Sequence, residues 1–273
     1  MSFTTLIGFL AGLGLFVGAI VTETSNYMIF LSFSSALMVV GGTLAATLIA
    51  QEARYVWLAI KGIASTLAPQ RVGRGVLNRE VGRVIRWGYL VQSKGILALE
   101  DEAKKVKGDE FLNFGVELIL AGSEGNIVGE VLFNTAGTTF GRNMAPVFVL
   151  KKMGATAPAF GMIGTLIGLI IMLDSMGSDP SALGAGLAVA LCTTLYGVLL
   201  AQLVLMPAAA KLEQRLQIAR FRNELMAEGL ALLADRTSPR QIQDRMNSYL
   251  DPAIRFDIDQ QLKGGGAQAE AAE

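Results

Sequence analysis

The chain has 273 residues, 52% hydrophobic and only 17% charged, with 23 basic residues balanced by 23 acidic ones. Its mean hydropathy of +0.48 is more than the core of an ordinary soluble domain absorbs, and a net charge of zero gives no electrostatic footprint for nucleic acid. There is no histidine, and the one cysteine, Cys192, lies in an apolar run, which argues against a disulfide framework, a Cys-rich metal site and a Ser-His or Cys-His hydrolase.

The first element, Phe3 to Val21, lacks a basic start and an A-x-A-like end, so it reads as a retained helix rather than a cleaved signal peptide. It is the first of four stretches without Lys, Arg, Asp or Glu; the others are Tyr27 to Ala50, Ala155 to Leu173 and Leu183 to Met206. A bilayer core requires about 20 apolar residues per helix, because each backbone polar group must be satisfied inside the segment. Four such stretches predict an all-α integral membrane protein with four transmembrane helices.

The short connections carry acids but no cations: Glu23 in the first, Asp174 and Asp179 in the third. Fourteen Lys and Arg residues lie between Arg54 and Lys152, and nine from Lys211 onward. The positive-inside rule then puts both short connections in the periplasm and both charged segments, with both termini, in the cytoplasm. The expected organisation is 1–50 for the first two spans, 51–154 for a cytoplasmic helical domain, 155–206 for spans three and four, 207–263 for C-terminal cytoplasmic helices, and 264–273 for a disordered tail.

Within 51–154, Arg79 to Ala98 places Val81, Val84, Ile85 and Tyr89 at helical spacing. Asp109 to Ala121 does the same with Phe111, Phe114, Leu118 and Ile119, between the stop signals Gly108 and Gly122. From Asn126 no clear break precedes the third span except Pro146 and Pro158, so one helix is expected to enter the membrane directly. The fourth span should likewise run past Pro207 into Lys211 to Asp235. Ser238-Pro239-Arg240-Gln241 then has the makings of a fresh helix start, with Ser as cap, Pro in the first turn and Gln at the capping-box position. No internal repeat is evident.

The spans are rich in small residues: Gly8 with Gly12, Gly14 with Gly18, Gly164 with Gly168 near Gly161, and Gly184, Gly186, Ala188, Ala190, Gly197 and Ala201 in the fourth. Such stripes let backbones approach and favour bundles and oligomers. An ion path ordinarily needs an ionisable group at membrane depth, and none is present. The polar groups there are hydroxyls, chiefly Thr165, Thr193 and Thr194, which can line a hydrated path or ligate a cation but do not titrate. If this chain helps conduct ions, a partner supplies the carboxylate; otherwise each threonine hydroxyl bonds to its own or a neighbouring helix.

Pro158-Ala-Phe-Gly-Met-Ile-Gly-Thr-Leu-Ile-Gly-Leu169 opens the third span, and Ala188-Val-Ala-Leu-Cys-Thr-Thr-Leu-Tyr-Gly197 lies in the fourth, followed by Pro207 and Lys211-Leu212-Glu213. Together with Gly41-Gly42-Thr43, Leu97-Ala-Leu-Glu100 and Ser238-Pro239-Arg240, these runs resemble the A-subunits of bacterial flagellar stators. These form the MotA/PomA family within the MotA/TolQ/ExbB proton channel group, and the sodium-type PomA branch looks most similar. The resemblance implies an inner-membrane, non-enzymatic subunit that forms a ring, a homopentamer, around a dimer of B-type subunits (MotB/PomB-like). Each B-subunit supplies a transmembrane aspartate. Ion flow, of Na+ by modest preference over H+, is converted into torque on a FliG-like rotor protein for motility and chemotaxis. No cofactor beyond the transported ion is implied.

By the same resemblance Thr165, Thr193 and Thr194 lie on the ion pathway, Pro158 and Pro207 are channel-helix prolines, and Glu100, Lys94, Arg86 and Arg240 are rotor contacts. One departure stands out: the family usually carries an arginine eight residues before the loop glutamate, and here that position is Gln92, with Lys94 and Arg86 the nearest cations. The alternative is an ExbB/TolQ-type energiser of an envelope system, whose members typically have three spans; a membrane scaffold without ion flux is a third reading.

Overall fold

The computed structural model describes residues 3–66, 74–106, 108–175 and 182–257. Ser178, Asp179 and the expected tail 264–273 lie outside them. The described residues are helical, with no strand among them. Among the described residues, four helices are long and apolar enough to cross a membrane: Leu6–Glu23, Tyr27–Ala50, Gly125–Asp174 and Gly186–Ala234. The chain divides into two compact units, Met1–Gln70 with Asn143–Arg215 and Arg71–Arg142 with Leu216–Glu273.

In the first unit, α1 (Phe3–Glu23) is one uninterrupted helix. The second span is not. A short 3₁₀ turn at Tyr27–Phe30 is followed by extended residues Leu31 and Ser32, then α2 (Phe33–Ala36), a π-wound turn Leu37–Gly41, and α3 (Gly42–Ala50). The Ser32 side chain caps α2 by accepting from the Ser35 amide. Within the π turn and α3, Thr43 and Thr47 donate to the carbonyls of Val39 and Thr43, so their buried hydroxyls are satisfied along their own helix. Gln51 is extended and ends the helix, and α4 (Ala53–Thr66) follows.

The third span belongs to α8 (Gly125–Ser175), 51 residues that continue through Pro146 and Pro158, as the absence of stop signals predicts. α9 (Ala182–Leu199) passes through a π-wound turn at Leu200–Leu205 into α10 (Met206–Ala234). Pro207 sits just after that turn; lacking an N–H, it cannot pair with the carbonyl four residues back, and the irregular winding falls where the regular ladder is interrupted. Lys151 Nζ meets the Glu213 carboxylate at 2.7 Å, joining α8 to α10.

The second unit has a core of the soluble type, centred on Val81, Val84 and Ile85 of α5 (Arg74–Lys94), Leu112, Val116 and Ile119 of α7 (Glu110–Leu120), and Leu225, Leu230, Ile242 and Met246. Two expectations need correction. The helix read as Arg79 to Ala98 stops at Lys94, because Gly95 takes φ +83 and turns the chain into α6 (Ala98–Lys105). Tyr89 and Phe114 are exposed. The buried face of α7 is Leu112-Gly115-Val116-Ile119, set by Gly115, where an added Cβ would overlap Leu230.

Elsewhere the local signals are realised. Asp109 caps α7 by accepting from the Leu112 amide, and Gly108 and Gly122 have positive φ on either side of the helix. Ser238 accepts from the Gln241 amide at the start of α11 (Pro239–Asn247), and its hydroxyl lies 3.0 Å from Gln241 Oε1.

Candidate functional site

The third and fourth spans cross at glycine contacts. A Cβ on Gly197 would fall 2.8 Å from the Ala157 carbonyl and 3.2 Å from the Cα atoms of Gly161 and Pro158. On Gly164 it would overlap Thr193, and on Gly168 Ala190. Backbone therefore touches backbone from Ala157 to Gly168, the approach small residues permit. Pro158 belongs to this crossing and Pro207 does not. Gly8, Gly14 and Gly18 of α1 face open space, and Gly12 meets only Leu203.

The crossing gathers the three threonines. Thr165 Oγ1 lies 3.0 Å from the Gly161 carbonyl of its own helix, 3.2 Å from the Ala190 carbonyl of α9, and within hydrogen-bond distance of Thr194 Oγ1. Thr193 donates to the Ala190 carbonyl at 2.7 Å and is 2% exposed. A hydroxyl has one proton and two lone pairs, so Thr165 and Thr194 cannot both donate to each other while each donates to a carbonyl. One oxygen of the pair keeps lone-pair capacity. Chemically this is a neutral cluster of hydroxyl and carbonyl oxygens. It can accept from water or ligate a hard cation, and it has no group that gains or loses a proton.

Beside it, α9 holds the irregular start of the second span. Ser32 N–H donates to Tyr196 Oη at 3.1 Å, and Tyr196 donates in turn to the Phe30 carbonyl. Cys192 Sγ lies 3.4 Å from the Ile29 carbonyl, and Ser35 Oγ 3.3 Å from that of Val189. The Thr-Thr-Leu-Tyr run thus places hydroxyls on two sides of one helix, and sequence reading missed Tyr196 because nothing local announces a broken partner helix.

The other candidates lie in the second unit. Glu100, in the first turn of α6, pairs with Lys104 at 2.8 Å, and this hydrogen bond and charge hold its carboxyl below the ordinary 4.5. The i,i+4 spacing of that pair was readable from sequence. Lys94 is exposed at the end of α5, Arg240 is exposed in α11, and Arg86 is exposed beside Phe256 in a cleft of about 360 Å³. Gln92 lines a second cleft, of about 350 Å³, together with Gly88, Val91, Gly95, Leu233, Arg236 and Thr237. Arg236, which sequence reading passed over, closes α10 at φ +54 in a position usually taken by Gly. Its amide bonds to the Leu233 carbonyl and that of Thr237 to the Leu232 carbonyl.

A buried ionic group underlies this surface. Arg222 is 8% exposed and bonds to Asp109 and, at 3.1 Å, to Glu80, which also pairs with Arg83 at 2.8 Å. Burial opposes the Arg222 charge most strongly, but the hydrogen bonds and charges of Asp109 and Glu80 outweigh it and raise its pKa. Asp109 therefore caps α7 and neutralises Arg222 with the same carboxylate.

Comparison with known proteins decides the family. The chain is 31% identical over 261 residues to the chemotaxis protein PomA of Vibrio alginolyticus, covering 95% of this chain and all of that one. The chain belongs to the MotA/TolQ/ExbB proton channel family. The model of that family matches residues 103–224. The fold is similar to the C. jejuni MotAB structure (TM-score 0.84, 20% identity, 94% of this chain and 100% of that one). It is also similar to the flagellar MotAB stator complex of Bacillus subtilis (TM-score 0.80, 22% identity, 93% and 97%). These two likenesses show that the fold is shared over nearly the whole chain.

Proposed function

We propose that this MotA/TolQ/ExbB-family chain is the A-type subunit of a flagellar stator, a non-enzymatic, ion-conducting component of the inner membrane that turns an ion gradient into torque. The observation that carries the reading is the Thr165–Thr193–Thr194 cluster at a glycine crossing, within spans that hold no carboxylate. Oxygen ligands are present and a titrating group is missing, so a B-type subunit contributing a transmembrane aspartate completes the path. PomA and the two MotAB structures support that pairing. In this reading the A-subunits form a ring, a pentamer, about the B-subunit helices, with both termini cytoplasmic. Glu100, Lys94, Arg86 and Arg240 present charge to the rotor, and Arg236 beside Gln92 adds a cation where the resemblance expects an arginine.

Sodium is the favoured ion. A desolvating Na+ must recover oxygen ligands, which the hydroxyls supply, whereas a proton needs only a carboxylate and a water chain. The test is swimming of a deletion strain complemented with this chain and its B-type partner. Speed should rise with external Na+, and Thr165→Ala should abolish most of it. Sodium-independent swimming that collapses with a protonophore would assign the unit to protons. Loss of neither gradient affecting swimming would refute the stator reading.

A further inference from the structure

α4 has an unusual division of faces. Its inner face, Val56, Ala59, Gly62 and Thr66, is buried. A Cβ on Gly62 would stand 3.1 Å from Leu212 of α10, and Arg215 of α10 donates to the carbonyls of Ser65 and Thr66 at 2.6 and 3.0 Å, closing the helix end. The helix is therefore fixed in rotation, and its outer face is determined. That face carries Arg54, Trp57, Leu58 and Lys61, related by three- and four-residue steps, with Ile60 at its edge. Trp57 is 59% exposed, and Lys61 Nζ lies 5.5 Å from the centre of its ring.

Three features identify what covers this face. α4 begins three residues after the second span ends at Ala50, with extended Gln51 between them. It holds two cations and no acidic residue. Its exposed apolar groups are an indole and branched aliphatics flanked by long cationic side chains, the composition of a helix that lies in a membrane interface with its charges at headgroup level. We propose that α4 is a docking surface for anionic phospholipid, with Arg54 and Lys61 binding headgroup phosphates and Trp57 and Leu58 inserted at the level of the upper acyl chains.

Fluorescence quenching tests this on the full-length protein in vesicles. The chain has two tryptophans, and Trp87 is buried, so the difference between the parent and Trp57→Phe reports Trp57. Brominated phosphatidylglycerol and brominated phosphatidylcholine are compared at equal mole fraction in a phosphatidylcholine background. The Trp57 signal should be quenched at least about twofold more by the anionic lipid, less than the roughly fivefold per cation expected for full neutralisation. The preference should vanish in Arg54→Gln/Lys61→Gln. Equal quenching by the two lipids overturns the proposal, as does a preference that survives the double substitution. Absence of quenching by either lipid would mean that protein covers the face, and would also overturn it.

Discussion

The Ser32 amide donates to the Tyr196 hydroxyl at 3.1 Å, across 164 residues of sequence, and the same hydroxyl donates to Phe30 on the other side of the break in the second span. Extended Leu31 and Ser32 have no helical partner for these groups, and an apolar environment offers no water in exchange. Tyr196→Phe keeps the ring and removes the bridge, leaving a donor and an acceptor unpaired. At about 1–3 kcal/mol for a buried unsatisfied group, the substitution is expected to lower the midpoint of thermal unfolding in mild detergent by several degrees. An unchanged midpoint would show that the break is held by Ser35 and Cys192 alone.

Gly164 and Gly8 make a controlled pair. Gly164→Ala drives a methyl into Thr193, whereas Gly8→Ala meets open space. Overpacking typically costs about 1–3 kcal/mol, while Ala in an open helical position gains up to about 1 kcal/mol over Gly. Denaturation in detergent should therefore separate the two variants in opposite directions. Equal stabilities would mean that the crossing can slide to admit a side chain.

Arg222 neutralises two carboxylates in the core of the second unit. Arg222→Ala strands Asp109, whereas Glu80 keeps its pair with Arg83, and removing one partner of a buried pair commonly costs about 3–5 kcal/mol. Urea-induced unfolding should register a loss of that size. Adding Asp109→Asn, which keeps a cap oxygen for the Leu112 amide, should recover part of the loss, because the stranded charge disappears. Strict additivity would deny that the two groups act as a unit.

Glu100 gives a pH prediction with a definite sign. Lys104 lowers its folded pKa below the ordinary 4.5, so the pair's contribution is present above about pH 4.5 and is lost as pH falls through the lower folded value. Both side chains are largely solvated, so no stability change is expected between pH 6 and 9. An NMR titration of the Glu100 carboxyl carbon should give a midpoint below 4.5 that returns to it in Lys104→Met. A midpoint at the ordinary value in the parent would place the lysine elsewhere in solution.

The parts of this architecture that were legible in the sequence are those encoded by local rules. Apolar length announced the four spans, Gly108 and Gly122 bounded α7, and Ser238 with Gln241 announced α11. Two features were not. Gly95 ends α5, but only its left-handed φ distinguishes it from the helical glycines Gly82 and Gly88, and that is a property of the folded chain. The buried face of α7 is chosen by the fit of Gly115 against Leu230, so large aromatics at helical spacing pointed one step away from it. The candidate site divides the same way. Hydroxyls were countable from residue types, whereas the Thr165–Thr194 contact and the Tyr196 bridge depend on a crossing point and a helix break that pair residues 29 and 164 positions apart.

At the far end of the described chain, the Asn247 side chain donates to the Phe256 carbonyl at 2.7 Å and accepts from the Phe256 amide at 2.9 Å. It holds the ring over Gly82, where even a methyl group would collide with it. This arrangement sets a practical limit on engineering. A stop codon placed before Phe256 would uncover an aromatic-sized slot in the second unit and expose Leu77, Val81 and Ile85 near it to misassembly. A fluorescent reporter is therefore to be joined after Phe256 and not before it, because the clamp needs both the Asn247 side chain and the Phe256 backbone.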